Sequence, residues 1–169
     1  MYHIGDTVTV DDSMQTGYRY VIEAPSGGGF APGFAPHFTP AEMLELGVFE
    51  GKYCNDCRPE LPAEWFENGR ISDRADPSLN RFGVKSRQSL SVWREKRWII
   101  GPDPRGWFQW YCRYWLGRRL PDIDAVQVKR WRAFIRHAAQ VRRNCDPGDW
   151  TCRPRQRQAL LQWSHDPFI

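Results

Sequence analysis

Asp103-Pro104-Arg105-Gly106-Trp107-Phe108-Gln109-Trp110-Tyr111-Cys112-Arg113-Tyr114-Trp115-Leu116-Gly117-Arg118-Arg119 is the stretch whose reading decides the fold. Six aromatic residues fall within nine positions, framed by four arginines. Tryptophan needs dense packing and a partner for its indole N–H, so such a block is either the centre of a core or a stacking platform. Asp103 and Pro104 suit the N-cap and first turn of a helix, and Gly117 suits its end. On a helical wheel Trp107, Phe108, Trp110, Tyr111, Tyr114 and Trp115 cover an arc of roughly 160°, wide enough to be buried. Gln109 and Arg113 lie together on the other side, where they are candidates to face a partner. Arg118 and Arg119 follow at the C-terminal end, where cations also suit the helix macrodipole.

Outward from this block, Pro121-Asp122 opens a long helix expected to run to about Asn144. Trp131, Phe134, Ile135 and Ala138 share one face. Lys129, Arg132, Arg136 and Arg143 fall within about 60° of one another on the opposite face, a row roughly 20 Å long. Like charges at this spacing repel mildly, and a line of phosphates would offset the repulsion. The structural alternative is a solvated face. Cys145 to Trp150 reads as a turn, and Thr151 to Pro154 opens a last helix through about Trp163. Arg153, Arg155 and Arg157 crowd its first turn, where the dipole favours acids, so an external anion is a natural partner. Arg155, Gln158 and Gln162 share a face, and Arg and Gln are the side chains that read guanine and adenine edges.

Toward the N-terminus, Asp6 to Asp11 and Tyr18 to Glu23 read as a hairpin across an Asp12–Gly17 turn. A Gly/Pro-rich arm follows, in which Phe30, Phe34 and Phe38 each precede a proline by two positions. Proline keeps the arm extended. Its phenylalanines would plug the core or form a lid over a pocket. Thr39-Pro40-Ala41-Glu42 is a capping box for a helix through Leu46 ended by Gly47. A short helix is expected over Pro62 to Glu67, a loop over Arg70 to Val84, and a helix from Ser89 or Ser91 through Lys96 that carries Trp93. The expected fold is mainly α (α+β): one compact helical domain over residues 1–169, with a small N-terminal β-hairpin and a Gly/Pro/Phe-rich arm.

The hydrophobic fraction of 41% and aromatic fraction of 14% indicate a folded globule. No apolar run approaches the ~20 residues of a membrane helix. The first residues lack the features of a signal peptide, so a soluble protein of the cytoplasm, or one associated with the nucleoid, is expected. Residues 1–68 hold three basic and eleven acidic side chains, a net of −8. Residues 69–169 carry the rest, a net of +12, the footprint of an anionic partner unless the halves simply neutralise each other. Five cysteines, an odd number, argue against a secreted disulfide framework and for reduced thiols. Cys54 and Cys57 form a C-x-x-C, but the Cys145/Cys152 spacing is not that of a usual zinc site, so no metal and no cofactor are assigned.

No motif names a reaction. The triple glycine Gly27–Gly29 lacks the Lys-Ser/Thr of a P-loop, and the zinc deaminase and G-x-S-x-G signatures are absent. Among the carboxylates Asp56 and Glu60, four apart beside Lys52, are the least arbitrary catalytic candidates, and Cys57 with His37 or His137 is a conceivable nucleophile pair. The blocks Asp103–Arg119, Glu42–Tyr53 and Arg153–Trp163 resemble those of an uncharacterised family of bacterial and fungal proteins. That resemblance implies no substrate and no catalytic residue. The expected function is DNA or RNA binding through the basic helix faces, with an aromatic pocket near Trp107 and Trp110 receiving a flipped or single-stranded base. The alternatives are an enzyme for a nucleotide or other phosphate-bearing molecule, and a protein-interaction module with an exposed Trp surface.

Overall fold

The computed structural model describes residues 1–169. It is mainly α-helical with one small hairpin, as the sequence leads one to expect. Strands β1 (Thr7–Val10) and β2 (Tyr18–Val21) pair antiparallel, with Thr7 opposite Val21 and Val10 opposite Tyr18. Alternation puts Val8, Val10 and Tyr20 inward. Asp11 and Asp12 close the turn by accepting hydrogen bonds from the amides of Gly17, Met14 and Gln15.

Helix α1 (Pro40–Leu46) starts on a complete capping box: the Thr39 hydroxyl takes the Glu42 amide, and the Glu42 carboxylate takes the Thr39 amide. Short 3₁₀ turns follow, one of them over Ala63–Phe66. The stretch expected as loop holds another at Pro77–Leu79. Helix α2 (Leu90–Glu95) is capped by Ser89.

Helix α3 (Trp107–Leu116) lies at the centre, and its start corrects the expectation. Asp103 is not its N-cap. Gly106, at φ 90°, holds the backbone out of the helical region, and Trp107 is the first helical residue. The Asp103 carboxylate turns inward instead, because two buried arginines claim it. Arg113 approaches at 3.0 Å and Arg118 at 2.8 and 2.7 Å. The aromatic face is core as expected, with Trp107, Phe108, Trp110, Tyr111 and Tyr114 all buried. The polar face is buried too.

The long helix divides at Phe134 into α4 (Pro121–Ala133) and α5 (Ile135–Asn144). The cause is local. The Trp131 carbonyl accepts from His165 Nε2 at 2.8 Å and from the Phe134 amide at 3.1 Å. A side chain inserted into the ladder is a recognised cause of such a break. The phenyl ring of Phe134 leaves the expected apolar row and stacks on Trp163, centroids 4.4 Å apart. Helix α6 (Pro154–Gln162) packs back on α5 through Ala138, Val141 and Leu160. Cys145 and Cys152 form a disulfide across the α5–α6 turn, which corrects the expectation of reduced thiols for that pair. Cys54, Cys57 and Cys112 remain free and buried.

One cluster of 23 buried residues joins the hairpin, the arm, α1, α3, α4 and α6. Phe34 sits inside it, edge-on to Trp110, Tyr111, Tyr114 and Trp131. The arm is therefore a plug of the core.

Candidate functional site

A cleft of about 750 Å³ opens where α3, α4, α5, α6 and the segment around α2 meet. Its floor is Phe49, Tyr53, Trp107 and Phe108, and Trp93, Trp98 and Ile99 line it from α2 and the residues after it. Trp163, just past α6, completes a ladder of rings. It stacks on Trp107 at 4.7 Å and on Phe134 at 4.4 Å. The cations of the cleft are Lys85, Arg87, Arg130, Arg136 and Arg155, and no carboxylate or thiol lines it.

Charge compensation separates these cations. Arg87 is paired with the buried carboxylate of Glu50. Lys85, Arg130, Arg136 and Arg155 have no ion pair. Arg130 is the most telling. It donates to the Trp98 carbonyl at 2.9 Å and to Gln127 Oε1 at 3.0 Å, and lies 5.5 Å from the Trp163 ring centroid. Burial alone pulls its pKa down, since no acid offsets the loss of water. An uncompensated, half-buried guanidinium is costly unless an anion joins it. His137 lies close by, its Nδ1 3.4 Å from Gln156 Nε2. Burial, and then the charge of Arg136, push its pKa below the usual histidine value.

The expected site residues divide sharply. Arg136, Arg155 and Gln162 belong to the cleft. Gln162 is buried in its wall, donating to the Ser86 carbonyl at 3.1 Å and accepting from the Phe49 amide at 3.3 Å. Lys129 and Arg143 are exposed but lie outside it. Arg132 turns to the Pro32 carbonyl, and Arg153 donates to Gln156. The break at Phe134 divides the expected basic row between α4, with Lys129 and Arg132, and α5, with Arg136 and Arg143.

Of the remaining arginines and glutamines, all but Arg119 are buried. Arg113 forms hydrogen bonds of 2.6 and 2.9 Å with Glu60 and lies over the Tyr18 ring at 5.0 Å. Burial would weaken its charge, but Glu60 and Asp103 outweigh that and hold its pKa above the usual value. Arg118 is held by Asp103, and Arg119 by the carbonyls of Gly28, Gly29 and Tyr114. Arg157 clamps the carbonyls of Asp149, Cys152, Pro167 and Ile169, which ties the disulfide turn to the C-terminal residues. Gln109 accepts from the Arg105 amide, and Gln158 bridges the Gly47 carbonyl and the Phe82 amide. Buried donors cannot also meet a phosphate or a base, so Arg113, Arg118, Arg157, Gln109 and Gln158 are corrected to structural positions, while Arg119 is partly exposed with its guanidinium taken by backbone carbonyls. Trp107 and Trp110 are also buried, which removes the anchors of the exposed-Trp interface.

Asp56, Glu60 and Cys57 fall outside the cleft. Asp56 is bound to Arg105 and Ser13 at the hairpin turn. Cys57 is buried, and its hydrogen bond with Cys54, together with burial, drives the thiol pKa far above that of a nucleophile. No group of three or more His, Cys, Asp or Glu side chains is arranged to hold a metal ion. No helix is long and apolar enough to cross a membrane.

Sequence reasoning missed Lys85, Arg87, Trp93, Trp98 and Arg130. The available signal was two tryptophans set among Lys85, Arg87, Arg94, Lys96 and Arg97, a basic aromatic segment that offered few apolar neighbours to bury them. A scan against protein-family models gives no match, and searches of curated proteins and of solved structures give none.

Proposed function

We propose that the protein binds single-stranded nucleic acid, taking a base into the aromatic cleft and phosphates onto its unpaired cations. The observation that carries this reading is the conjunction of Lys85, Arg130, Arg136 and Arg155, none of them ion-paired, around a cleft of aromatic rings that no acid lines. Stacking rings beside a cationic rim are the common means of holding a single strand. The cleft volume lies within the range of small-ligand pockets and admits a base; a duplex does not enter it.

The concave shape, lined by both halves of the chain, favours a second reading in which a free nucleotide is the ligand. The chemistry of the walls favours binding over reaction in either case. His137 is the one lining side chain whose ordinary pKa lies near neutrality.

The test is a titration with a short single-stranded oligonucleotide, followed by tryptophan fluorescence at several salt concentrations. Affinity is expected to fall linearly in log–log form with salt, by about 0.7 per phosphate engaged. Arg130→Ala and Arg136→Ala weaken binding about tenfold or more, while Arg143→Ala, outside the cleft, leaves it nearly unchanged. Absence of binding at low salt, or indifference to both cleft substitutions, would sink the proposal.

A further inference from the structure

The unpaired cations are not one cluster: Arg136 precedes His137, whose Nδ1 lies 3.4 Å from Gln156 Nε2 next to Arg155, and the other three fall at two places. Arg155 stands in the first turn of α6, and its carbonyl accepts from the Ser86 hydroxyl at 2.5 Å, which sets Lys85 beside it. Arg130 stands over Trp163, just past the other end of α6. From position 155 to position 163 the helix rises about 12 Å. Arg87, which also lines the cleft, is already neutralised by Glu50. The cleft therefore has two positive poles, with the Trp163–Phe134 stack adjoining one of them.

We infer that the ligand of this cleft is a nucleoside bearing phosphate on both its 5′ and 3′ sides, with Arg130 taking one phosphate and the Lys85–Arg155 pair the other. This rests on the nucleotide-class reading above. The physical argument is one of span. A nucleoside monophosphate has its charge at one end and satisfies one pole, which leaves the other pole uncompensated. A unit with phosphates on both sides reaches both poles while its base remains against the rings. Two sources carry that chemistry: an internal unit of a single strand, and a free nucleoside 3′,5′-bisphosphate.

The experiment is calorimetric titration of the full chain with adenosine 5′-monophosphate, adenosine 3′-monophosphate, adenosine 3′,5′-bisphosphate and a tetrameric oligoadenylate at one low salt concentration. The bisphosphate is expected to bind about tenfold or more tighter than either monophosphate. Arg130→Ala and Arg155→Ala each reduce it to the level of a monophosphate. Each monophosphate responds to one of the two substitutions and not to the other. Neither side chain is ion-paired, and a thermal melt of each variant verifies that the fold is retained. Tighter binding of the tetramer than of the bisphosphate assigns the site to a strand, and the reverse assigns it to the free bisphosphate. Equal affinity for mono- and bisphosphate overturns the two-pole inference and leaves the nucleotide-class reading standing. No binding of any of the four overturns both.

Discussion

The residues that matter most for the fold are charged and inside it. Arg113 and Arg118 share the fully buried Asp103, and Arg113 also holds Glu60. Removing one partner from such a network leaves a buried charge without compensation, which costs about 3–5 kcal/mol. Arg113→Met is therefore expected to lower the unfolding free energy by about that amount in urea titration; a loss under about 1 kcal/mol would show that the network is not stabilising. The wheel had placed Gln109 and Arg113 correctly on one side of α3. It could not say that Glu60, 53 positions away, would arrive to bury that side. Arg105 supplies a prediction in pH. Burial would raise the pKa of Asp12 and of Asp56, but hydrogen bonds from Arg105, with further amide or hydroxyl donors, outweigh it and hold both below the ordinary 3.8. A lowered folded-state pKa means stability that is present above 3.8 and lost as pH falls below it, through the folded values. The urea midpoint of the wild type should fall as pH drops from about 5 toward 3, and that of Arg105→Met should fall less steeply. Parallel slopes would remove Arg105 from the account.

At the scale of elements, local chemistry was legible where the deciding groups lie within a few residues. The Thr39–Glu42 box, the Gly117 stop and the Asp12 turn formed where the sequence placed them, and of Ser89 and Ser91 it is Ser89 that caps α2. Thr39→Ala is accordingly expected to cost about 1 kcal/mol, read from the denaturation midpoint. Gly117 has a second constraint. At φ 112° it sits under the Ala24 carbonyl, into which any Cβ would be driven, so Gly117→Ala should destabilise by well over 1 kcal/mol. What failed were boundaries set by distant partners. The α4–α5 break depends on His165, 34 positions from the carbonyl that it takes, and the start of α3 depends on arginines that claim Asp103. The cleft was legible only in part for the same reason. Arg136, Arg155 and Gln162 were singled out, while Arg130 and the tryptophans around α2 gained meaning from the packing of α3, α4 and α6 around them. The disulfide adds an element-scale test. It closes a short turn between positions seven apart, and its reduction should cost roughly 2–3 kcal/mol of unfolding free energy. An unchanged midpoint with reductant would show that the turn is held by Arg157 and the α5–α6 packing alone.

At the scale of the molecule, the acidic and basic halves are interlocked. Glu50 meets Arg87, Asp12 and Asp56 meet Arg105, and Glu60 meets Arg113, each pair joining a residue before position 68 to one after it. The main core likewise draws Val8, Phe34, Met43 and Trp65 together with Trp110, Trp131 and Leu161. Opening either half alone would strand these charges and apolar faces, so the chain is expected to unfold in one cooperative step. Two probes report on different halves. Eight of the nine tryptophans lie after position 68 and report on the helical part. Cys54 and Cys57 lie before it, buried and unpaired, and report on the acidic part. Labelling of these two thiols, quantified by mass spectrometry across a urea series, should track the tryptophan fluorescence with a common midpoint. If Cys54 and Cys57 became reactive while the fluorescence was still native, the acidic part would be a separate, weaker unit. The buried pairs would then be contacts made after the helical part has formed, and the residual positive charge around the cleft would survive the loss of its acidic neighbours.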